Sequence, residues 1–175
     1  MGHAHATEFS PLKIAILTVS DSRTRENDTS GDYLEEQLLD AGHELVDRDI
    51  VADNIYRMRE IFSRWIADPG VEVIISTGGT GLTGRDSTPE AITPLFDKTI
   101  EGFGEMFRAV SLEDIGMSTI QSRAVAGLAN KTLMFCLPGS TGACRTGWEG
   151  VLKEQLDIRT RPCNFAQMYP RMDEK

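Results

Sequence analysis

The sequence predicts an α/β protein in which a mostly parallel sheet lies between two layers of helices. Short apolar stretches rich in β-branched residues alternate along the chain with longer amphipathic stretches, an order typical of β-α-β units with right-handed crossovers. The strand candidates are apolar almost without interruption, as expected for strands that are covered on both faces. The chain has 175 residues, of which 40% are hydrophobic, and this is enough for one domain with a full core.

The first β-α-β unit is predicted near the N-terminus. Residues 13–20 form an apolar strand that ends in the polar cluster 20–24. This cluster is either an ordinary loop or part of a site, because open parallel sheets bind ligands at the carboxyl ends of their strands. Residues 30–41 form an amphipathic helix that Thr29 or Ser30 would cap, and residues 44–51 form the second strand.

A second helix is predicted after Asp53-Asn54 and runs to about Ala67. Its apolar residues recur at the i, i+3, i+4 spacing of one helix face: Ile55, Met58, Phe62, Trp65 and Ile66. Asp53 lies where this helix begins, so it is either the N-cap or a carboxylate that belongs to a site at the sheet edge. Position alone favours the cap.

Residues 73–91 join a third strand, a glycine loop and the start of a helix. The loop contains Gly78, Gly79, Gly81 and Gly84, and the helix start is Ser87-Thr88-Pro89-Glu90. Such a loop lets backbone N–H groups approach an anion closely, and we interpret it as a phosphate cradle. A tight connection without a ligand is the alternative. The loop lacks the Gly-Lys-Ser/Thr of a Walker A sequence, and it follows the third strand instead of the first, unlike a dinucleotide fingerprint.

Asp86 follows this glycine loop directly. A carboxylate beside a phosphate repels it unless a cation lies between the two groups, so Asp86 suggests Mg²⁺.

The remaining elements are predicted less sharply. A helix runs from Pro89 to about Phe96, residues 101–127 are irregular and helical, and residues 132–137 form a last strand that ends at Pro138-Gly139-Ser140. A final helix covers residues 141–156. The predicted domain spans residues 12–165 between an irregular tail at 1–11 and a polar tail at 166–175; His3 and His5 in the first tail resemble a tag more than a metal site.

Composition excludes several classes of protein. The net charge of −9 argues against nucleic-acid binding, which depends on clustered Lys and Arg. No apolar run reaches the length of a membrane span. The three cysteines have no CxxC spacing, so free thiols and a cytoplasmic location are expected. His43, after Gly42, is expected at the surface.

Seven sequence segments together resemble the MoaB/MogA family of molybdenum-cofactor biosynthesis proteins, and the MoaB branch most closely. The resemblance covers residues 13–165. The matching segments are 20–24, 28–31, 50–54, 76–91, 102–108, 122–127 and 137–140. It implies a three-layer α/β/α molybdopterin-binding fold, a homo-oligomer (a hexamer, with a trimer as the alternative) and a downstream molybdenum-insertion protein as partner. It also implies adenylylation of the terminal phosphate of molybdopterin by Mg-ATP.

The resemblance also assigns residues. Asp86 and Asp53 match the catalytic carboxylates, which would hold Mg²⁺ on the nucleotide. The expected phosphate- and molybdopterin-binding residues are Ser20, Asp21, Ser22, Thr77, Gly78, Gly79, Thr80, Gly81, Thr88, Glu105, Arg108, Pro138, Gly139 and Ser140.

Two other functions are compatible with the residues. One is a non-catalytic binder of molybdopterin or a nucleotide, and the other, more remote, is a phosphate-binding enzyme such as a kinase, which lacks support without a P-loop lysine. Cys144 could bind the dithiolene of molybdopterin, although a structural thiol is the more common role of a free cysteine.

Overall fold

A computed structural model describes residues 8–172 and residue 174. Its centre is a six-stranded sheet with the order β2-β1-β3-β6-β5-β4. The strands are β1 (Lys13–Val19), β2 (Glu44–Val51), β3 (Val73–Thr77), β4 (Lys98–Thr99), β5 (Val125–Ala129) and β6 (Thr132–Leu137). The first four strands in that order are parallel, whereas β5 and β4 are antiparallel to their neighbours. The predicted fold class, a mostly parallel sheet with helices, is confirmed.

Seven α-helices accompany the sheet in the described residues. They are α1 (Thr29–Asp40), α2 (Ile55–Ala67), α3 (Thr88–Ile92), α4 (Glu101–Ile115), α5 (Thr141–Gly147), α6 (Lys153–Gln155) and α7 (Phe165–Met168). Short 3-10 turns follow α3, α4 and α7, and a π-helical segment at Trp148–Leu152 joins α5 to α6.

Strand β1 separates two hydrophobic cores. Ile14 and Ile16 face a core that includes residues of α1, α4 and α5, whereas Ala15 and Leu17 face a core made with α2 and α3. Successive side chains of a strand point to opposite faces, so a strand covered on both sides must be apolar throughout. The same residues therefore explain both the sequence pattern and the two helix layers.

The segment 101–127 differs most from its prediction. It forms the 15-residue helix α4, a 3-10 turn and then strand β5, which was not predicted. Strand β5 has the sequence Val-Ala-Gly-Leu-Ala, and alanine and glycine have low β propensity. It pairs with β6 through a tight turn at Asn130 and Lys131, which have positive φ angles of 45° and 71°. This turn lacks the glycine by which such hairpins are usually detected.

Three smaller predictions also need correction. The helix after Pro89 ends at Ile92 and continues as a 3-10 turn to Leu95, instead of running to Phe96. Helix α1 is capped by Asp28, whose Oδ1 accepts from the N–H of Gly31 at 3.0 Å, and not by Thr29 or Ser30.

His43 is buried, and not at the surface. Its Nδ1 accepts from the N–H of Leu12 at 3.2 Å, and its ring contacts those of Phe9 and Trp148. Burial lowers its pKa to about 4. The residue therefore fastens the start of β1 to the core as a neutral imidazole.

The two ends of the chain are described in part. His3 and His5 lie outside the described residues. The predicted polar tail contains helix α7, in which Ala166 is buried and Phe165 packs against the core. None of the described helices is long and apolar enough to cross a membrane.

Candidate functional site

A cleft of about 430 Å³ opens where β1, β3 and β6 end. These three neighbouring strands are parallel, so their carboxyl ends and the loops that follow them meet at one edge of the sheet. Ten of the predicted site residues line the cleft: Ser20, Thr77, Gly78, Gly79, Thr80, Gly81, Asp86, Pro138, Gly139 and Ser140.

The glycine loop after β3 has a backbone that side chains would block. Gly78 and Gly79 have φ angles of +104° and +67°, which other residues rarely adopt. A Cβ at Gly78 would lie 2.1 Å from the carbonyl oxygen of Val19, and one at Gly79 would lie 2.3 Å from the hydroxyl of Thr88. The glycines are therefore required by the geometry of the loop.

Hydrogen bonds hold this loop against β6 and α3. The N–H of Gly78 donates to the carbonyl of Leu137 at 3.0 Å. The buried Thr88 donates its hydroxyl to the carbonyl of Gly78 at 2.8 Å and its N–H to the carbonyl of Gly79 at 2.9 Å. Thr88 thus holds the backbone of Gly78 and Gly79 in its position.

Asp53 does not cap helix α2. The cap is Asn54, whose Oδ1 accepts from the N–H groups of Tyr56 and Arg57 at 3.0 and 3.1 Å. The capping interpretation of Asp53 is therefore wrong. One oxygen of its carboxylate accepts from the hydroxyl of Ser87, and the other lies 2.7 Å from the point where a Cβ on Gly79 would stand. Asp53 is thus placed against the glycine loop.

Asp86 lies against the same loop at Gly81. Its Oδ2 accepts from the N–H and the hydroxyl of Thr83 at 2.9 and 2.7 Å, and stands 2.6 Å from the position of a Cβ on Gly81. The Thr83 hydroxyl, with further help from nearby Arg123, lowers the pKa of Asp86. The carboxylate is therefore ionised at neutral pH.

Arg123 braces the glycine loop, and the sequence reasoning did not single it out as a site residue. Its Nε donates to the carbonyl of Gly81 at 2.8 Å, its Nη2 donates to the carbonyl of Asp86 at 3.2 Å, and it forms an ion pair with Glu90. The sequence feature that could have identified Arg123 is its position in segment 122–127, which matches the family.

The loops after β1 and β6 form the other wall of the cleft. The Ser20 hydroxyl accepts from the N–H groups of Ser22 and Arg23 at 3.3 and 3.2 Å. Ser140 caps α5 by accepting from the N–H of Ala143 at 3.1 Å. Asp21, in contrast, is not among the residues that line the cleft, and its carboxylate pairs with Arg85.

Comparison with known proteins identifies the family. The model of a family described as a probable molybdopterin binding domain matches residues 15–157. Over 160 residues the chain is 60% identical to molybdenum cofactor biosynthesis protein B of Escherichia coli K12, with 91% of this chain and 94% of that protein covered. This chain belongs to the MoaB/MogA family of molybdenum-cofactor biosynthesis proteins. It is also 44% identical to molybdenum cofactor biosynthesis protein B of Staphylococcus carnosus, over 83% of this chain and 87% of that protein.

Solved structures of the MoaB/MogA family share the fold. A crystal structure of molybdenum cofactor biosynthesis protein B superposes with a TM-score of 0.82 at 40% identity and covers 84% of this chain and 92% of its own. The tungsten cofactor synthesizing protein MoaB from Pyrococcus furiosus gives 0.74 at 38% identity, with coverage of 82% and 92%. A MogA structure gives 0.73 at 31% identity, with coverage of 80% and 92%.

Six of the residues that the MoaB/MogA resemblance suggested do not line the cleft: Asp21, Ser22, Asp53, Thr88, Glu105 and Arg108. Glu105 and Arg108, on α4, line a neighbouring groove of about 520 Å³ and not the cleft itself. Arg108 donates from Nη1 to the carbonyl of Ser122 at 3.3 Å, and Ser122 lines both spaces. The pair is therefore adjacent to the cleft, on the far side of the segment that carries Ser122.

Cys144 lies below the cleft and does not line it. The side chain is fully buried, and its Sγ donates to the hydroxyl of Thr77 at 3.1 Å. Thr77 in turn donates to the carbonyl of Pro138 at 2.8 Å, which links β3 to the loop after β6. Burial raises the pKa of Cys144 to about 11. A buried, protonated thiol favours the structural role over binding of a dithiolene.

Proposed function

We propose that this protein binds molybdopterin in the cleft and adenylylates its terminal phosphate with Mg-ATP, releasing pyrophosphate. One observation carries the proposal: the glycine loop between β3 and α3 has a carboxylate on either side, Asp53 against Gly79 and Asp86 against Gly81. The identity of the ligand is suggested by the family, whose model is described as a probable molybdopterin binding domain.

The two walls of the cleft suit different parts of the substrates. The backbone of residues 77–81, of which three are glycine, would hold phosphate groups through N–H donors other than that of Gly78, which is bonded to Leu137. The loops that contain Ser20 and Ser140 would hold the pterin, because they offer hydroxyl and peptide groups together with the guanidinium of Arg23. Phosphate and pterin would then meet at the ends of neighbouring strands.

Magnesium fits the donors that the loop offers. Mg²⁺ is usually bound by one or two protein carboxylates together with substrate phosphates and water, and not by a cage of side chains. Asp53 and Asp86 match this pattern, and the described residues contain no cluster of three or more His, Cys, Asp or Glu side chains that could hold a metal alone. When bound, the ion would neutralise the charge of the nucleotide phosphates.

The reaction would demand little acid–base chemistry from the protein. An oxygen of the terminal phosphate of molybdopterin attacks the α-phosphorus of ATP, and the bond from that phosphorus to pyrophosphate breaks. Because the attacking phosphate is already an anion, no general base is needed. None of the residues that line the cleft is a histidine. The chain's own contribution would be to position the two phosphates and offset their charge.

AMP transfer to molybdopterin tests the proposal directly. We expect turnover with Mg-ATP in the wild type and a loss of at least about a hundredfold in Asp86→Asn, the range found when a main electrostatic contact of a reaction is removed. Asp40→Asn is the matched control, because Asp40 is an exposed carboxylate at the far end of α1. Tight molybdopterin binding without turnover in the wild type would instead identify a non-catalytic binder.

An oligomer and a downstream partner are further parts of the proposal. Several large apolar side chains on α4 and the 3-10 turn after it are exposed in the single chain: Met106, Leu112, Ile115, Met117 and Ile120. A face of this kind is typical of a subunit contact. We propose that this face is a subunit interface of a homo-oligomer, either a hexamer or a trimer. We also propose that the product is transferred to a molybdenum-insertion protein. Light scattering should show one of these masses, and Ile120→Asp should lower it.

A further inference from the structure

Arg85 and Asp21 join two loops beside the candidate site, next in sequence to the cleft residues Asp86 and Ser20. The Nε of Arg85 donates to Oδ2 of Asp21 at 2.9 Å, and its Nη2 donates to Oδ1 at 2.6 Å. Arg85 belongs to the glycine loop, whereas Asp21 follows β1. This two-pronged geometry is the one in which a guanidinium binds either a carboxylate or a phosphate.

Asp21 also accepts a hydrogen bond from a third loop. The backbone N–H of Asp53 donates to its Oδ1 at 3.1 Å. Three N–H donors from two separate loops thus converge on one carboxylate, next to the two acids that flank the glycine loop. Three converging N–H donors are the arrangement expected of a small anion-binding site. In this structure the carboxylate of Asp21 is the anion that these donors bind.

The Asp21–Arg85 pair is poorly suited to a purely structural role. The side chain of Arg85 is 67% exposed and that of Asp21 is 44% exposed. Exposed ion pairs contribute little to stability, because water and salt screen them. A more highly charged anion could therefore displace Asp21 at small cost.

The buried pair between Asp28 and Arg48 shows the contrast. Both of those side chains are almost completely buried, with Asp28 also bonded to Thr18 and the N–H of Gly31. That pair ties α1 to β1 and β2. The Asp21–Arg85 pair has no comparable set of buried partners.

We propose that Arg85 binds the pyrophosphate portion of the nucleotide, and that Asp21 holds Arg85 in place until the nucleotide displaces it. This inference rests on the proposed nucleotide-dependent function. It assigns Asp21 to the nucleotide side of the site, whereas the sequence resemblance implied only that Asp21 binds phosphate or molybdopterin. In this arrangement, the guanidinium exchanges one bidentate anion for another, and the released Asp21 carboxylate turns to solvent.

Binding measurements on two single variants distinguish this proposal from a purely structural role, in which the Asp21–Arg85 pair only holds the two loops together. The ligands are Mg-ATP, magnesium pyrophosphate and AMP, measured by titration calorimetry. We expect Arg85→Gln to weaken binding of ATP and pyrophosphate by about tenfold and to leave AMP affinity within about twofold, as for loss of one charge-assisted contact. Asp21→Asn should strengthen binding of the same two ligands, because Arg85 is released in advance.

The double variant and a matched control complete the test. In the Arg85→Gln background, Asp21→Asn should have a much smaller effect than in the wild type, since no guanidinium remains to be released. Arg159→Gln is the control, because Arg159 also makes a partly exposed two-pronged pair, with Asp157, and its loss should not change pyrophosphate affinity. If both single variants weaken binding, the Asp21–Arg85 pair serves only to hold the two loops together, and the proposal is overturned.

The outcome also distinguishes this inference from the proposed activity. If the wild type binds pyrophosphate with these opposite effects of the variants but transfers no AMP, the role of Arg85 stands and the adenylyltransferase proposal fails. If AMP transfer occurs and Arg85→Gln changes neither the KM for ATP nor pyrophosphate affinity, the inference fails alone. No binding of either anion to the wild type overturns the inference.

Discussion

Replacing Gly78 by alanine should damage both the fold and the glycine loop. The residue has a φ of +104°, and its missing Cβ would lie 2.1 Å from the carbonyl oxygen of Val19. A backbone conformation of this kind costs about 1–3 kcal/mol for a residue with a side chain. Moving β1 and the loop apart to relieve the clash adds roughly 1–3 kcal/mol, as for overpacking in a core. The expected loss is therefore about 2–6 kcal/mol, a large part of the roughly 5–15 kcal/mol that stabilises a typical domain.

Urea unfolding, followed by circular dichroism at one fixed protein concentration, measures this loss. The fixed concentration matters, because association would otherwise change the apparent stability. Gly84→Ala is the matched control in the same loop, since a Cβ at Gly84 would meet nothing within 4 Å. We expect this control to unfold at the wild-type midpoint. If Gly78→Ala also unfolds there, the argument that the loop requires glycine at this position is refuted.

Three further predictions follow from the described side chains. Because burial lowers the pKa of His43 to about 4, from its ordinary 6.5, its neutral form stabilises the fold above about pH 6.5, and this contribution is lost as the pH falls toward 4. Unfolding free energies measured across that window should fall by roughly 2–3 kcal/mol more in the wild type than in His43→Phe; equal slopes would contradict the assignment. Asn54→Ala should lower the free energy of unfolding by about 1 kcal/mol through loss of the α2 cap, whereas Asp53→Ala should not; the reverse order in thermal melts would restore Asp53 as the cap. Mass spectrometry after brief alkylation of the native protein should find Cys163 modified and the two buried cysteines intact, and early labelling of a buried one would show that the core opens easily.

Much of the fold was predictable because its strongest elements have unambiguous patterns. Strands β1 and β3 are apolar on both faces, which occurs only when helices cover both sides. The glycine loop was predictable because an apolar strand precedes it and a helix-start sequence that contains Pro89 follows it. Strand β5 was not predictable in the same way, since its alanines and glycine resemble a loop and the turn that pairs it with β6, at Asn130 and Lys131, contains no glycine.

The site was predictable at the level of residues but not of contacts. Position alone made Asp53 the natural cap of α2, and only the structure shows that Asn54 makes those bonds. The resemblance to the MoaB/MogA family predicted Asp53 as a site carboxylate, and its catalytic role stays a prediction. No periodicity could have revealed that Arg123 supports the loop, because it acts across 42 residues of sequence on the carbonyl of Gly81. Long-range contacts of this kind require the folded chain.

A structure with a non-hydrolysable analogue of Mg-ATP would show directly where the nucleotide binds. The central claim is that the glycine loop and its two flanking acids hold the nucleotide phosphates and their metal. We expect phosphate density against the N–H groups of residues 79–81, with the metal beside Asp53 and Asp86. Phosphates found instead in the groove that Arg108 lines, or in the separate cavity beside α7, would contradict it.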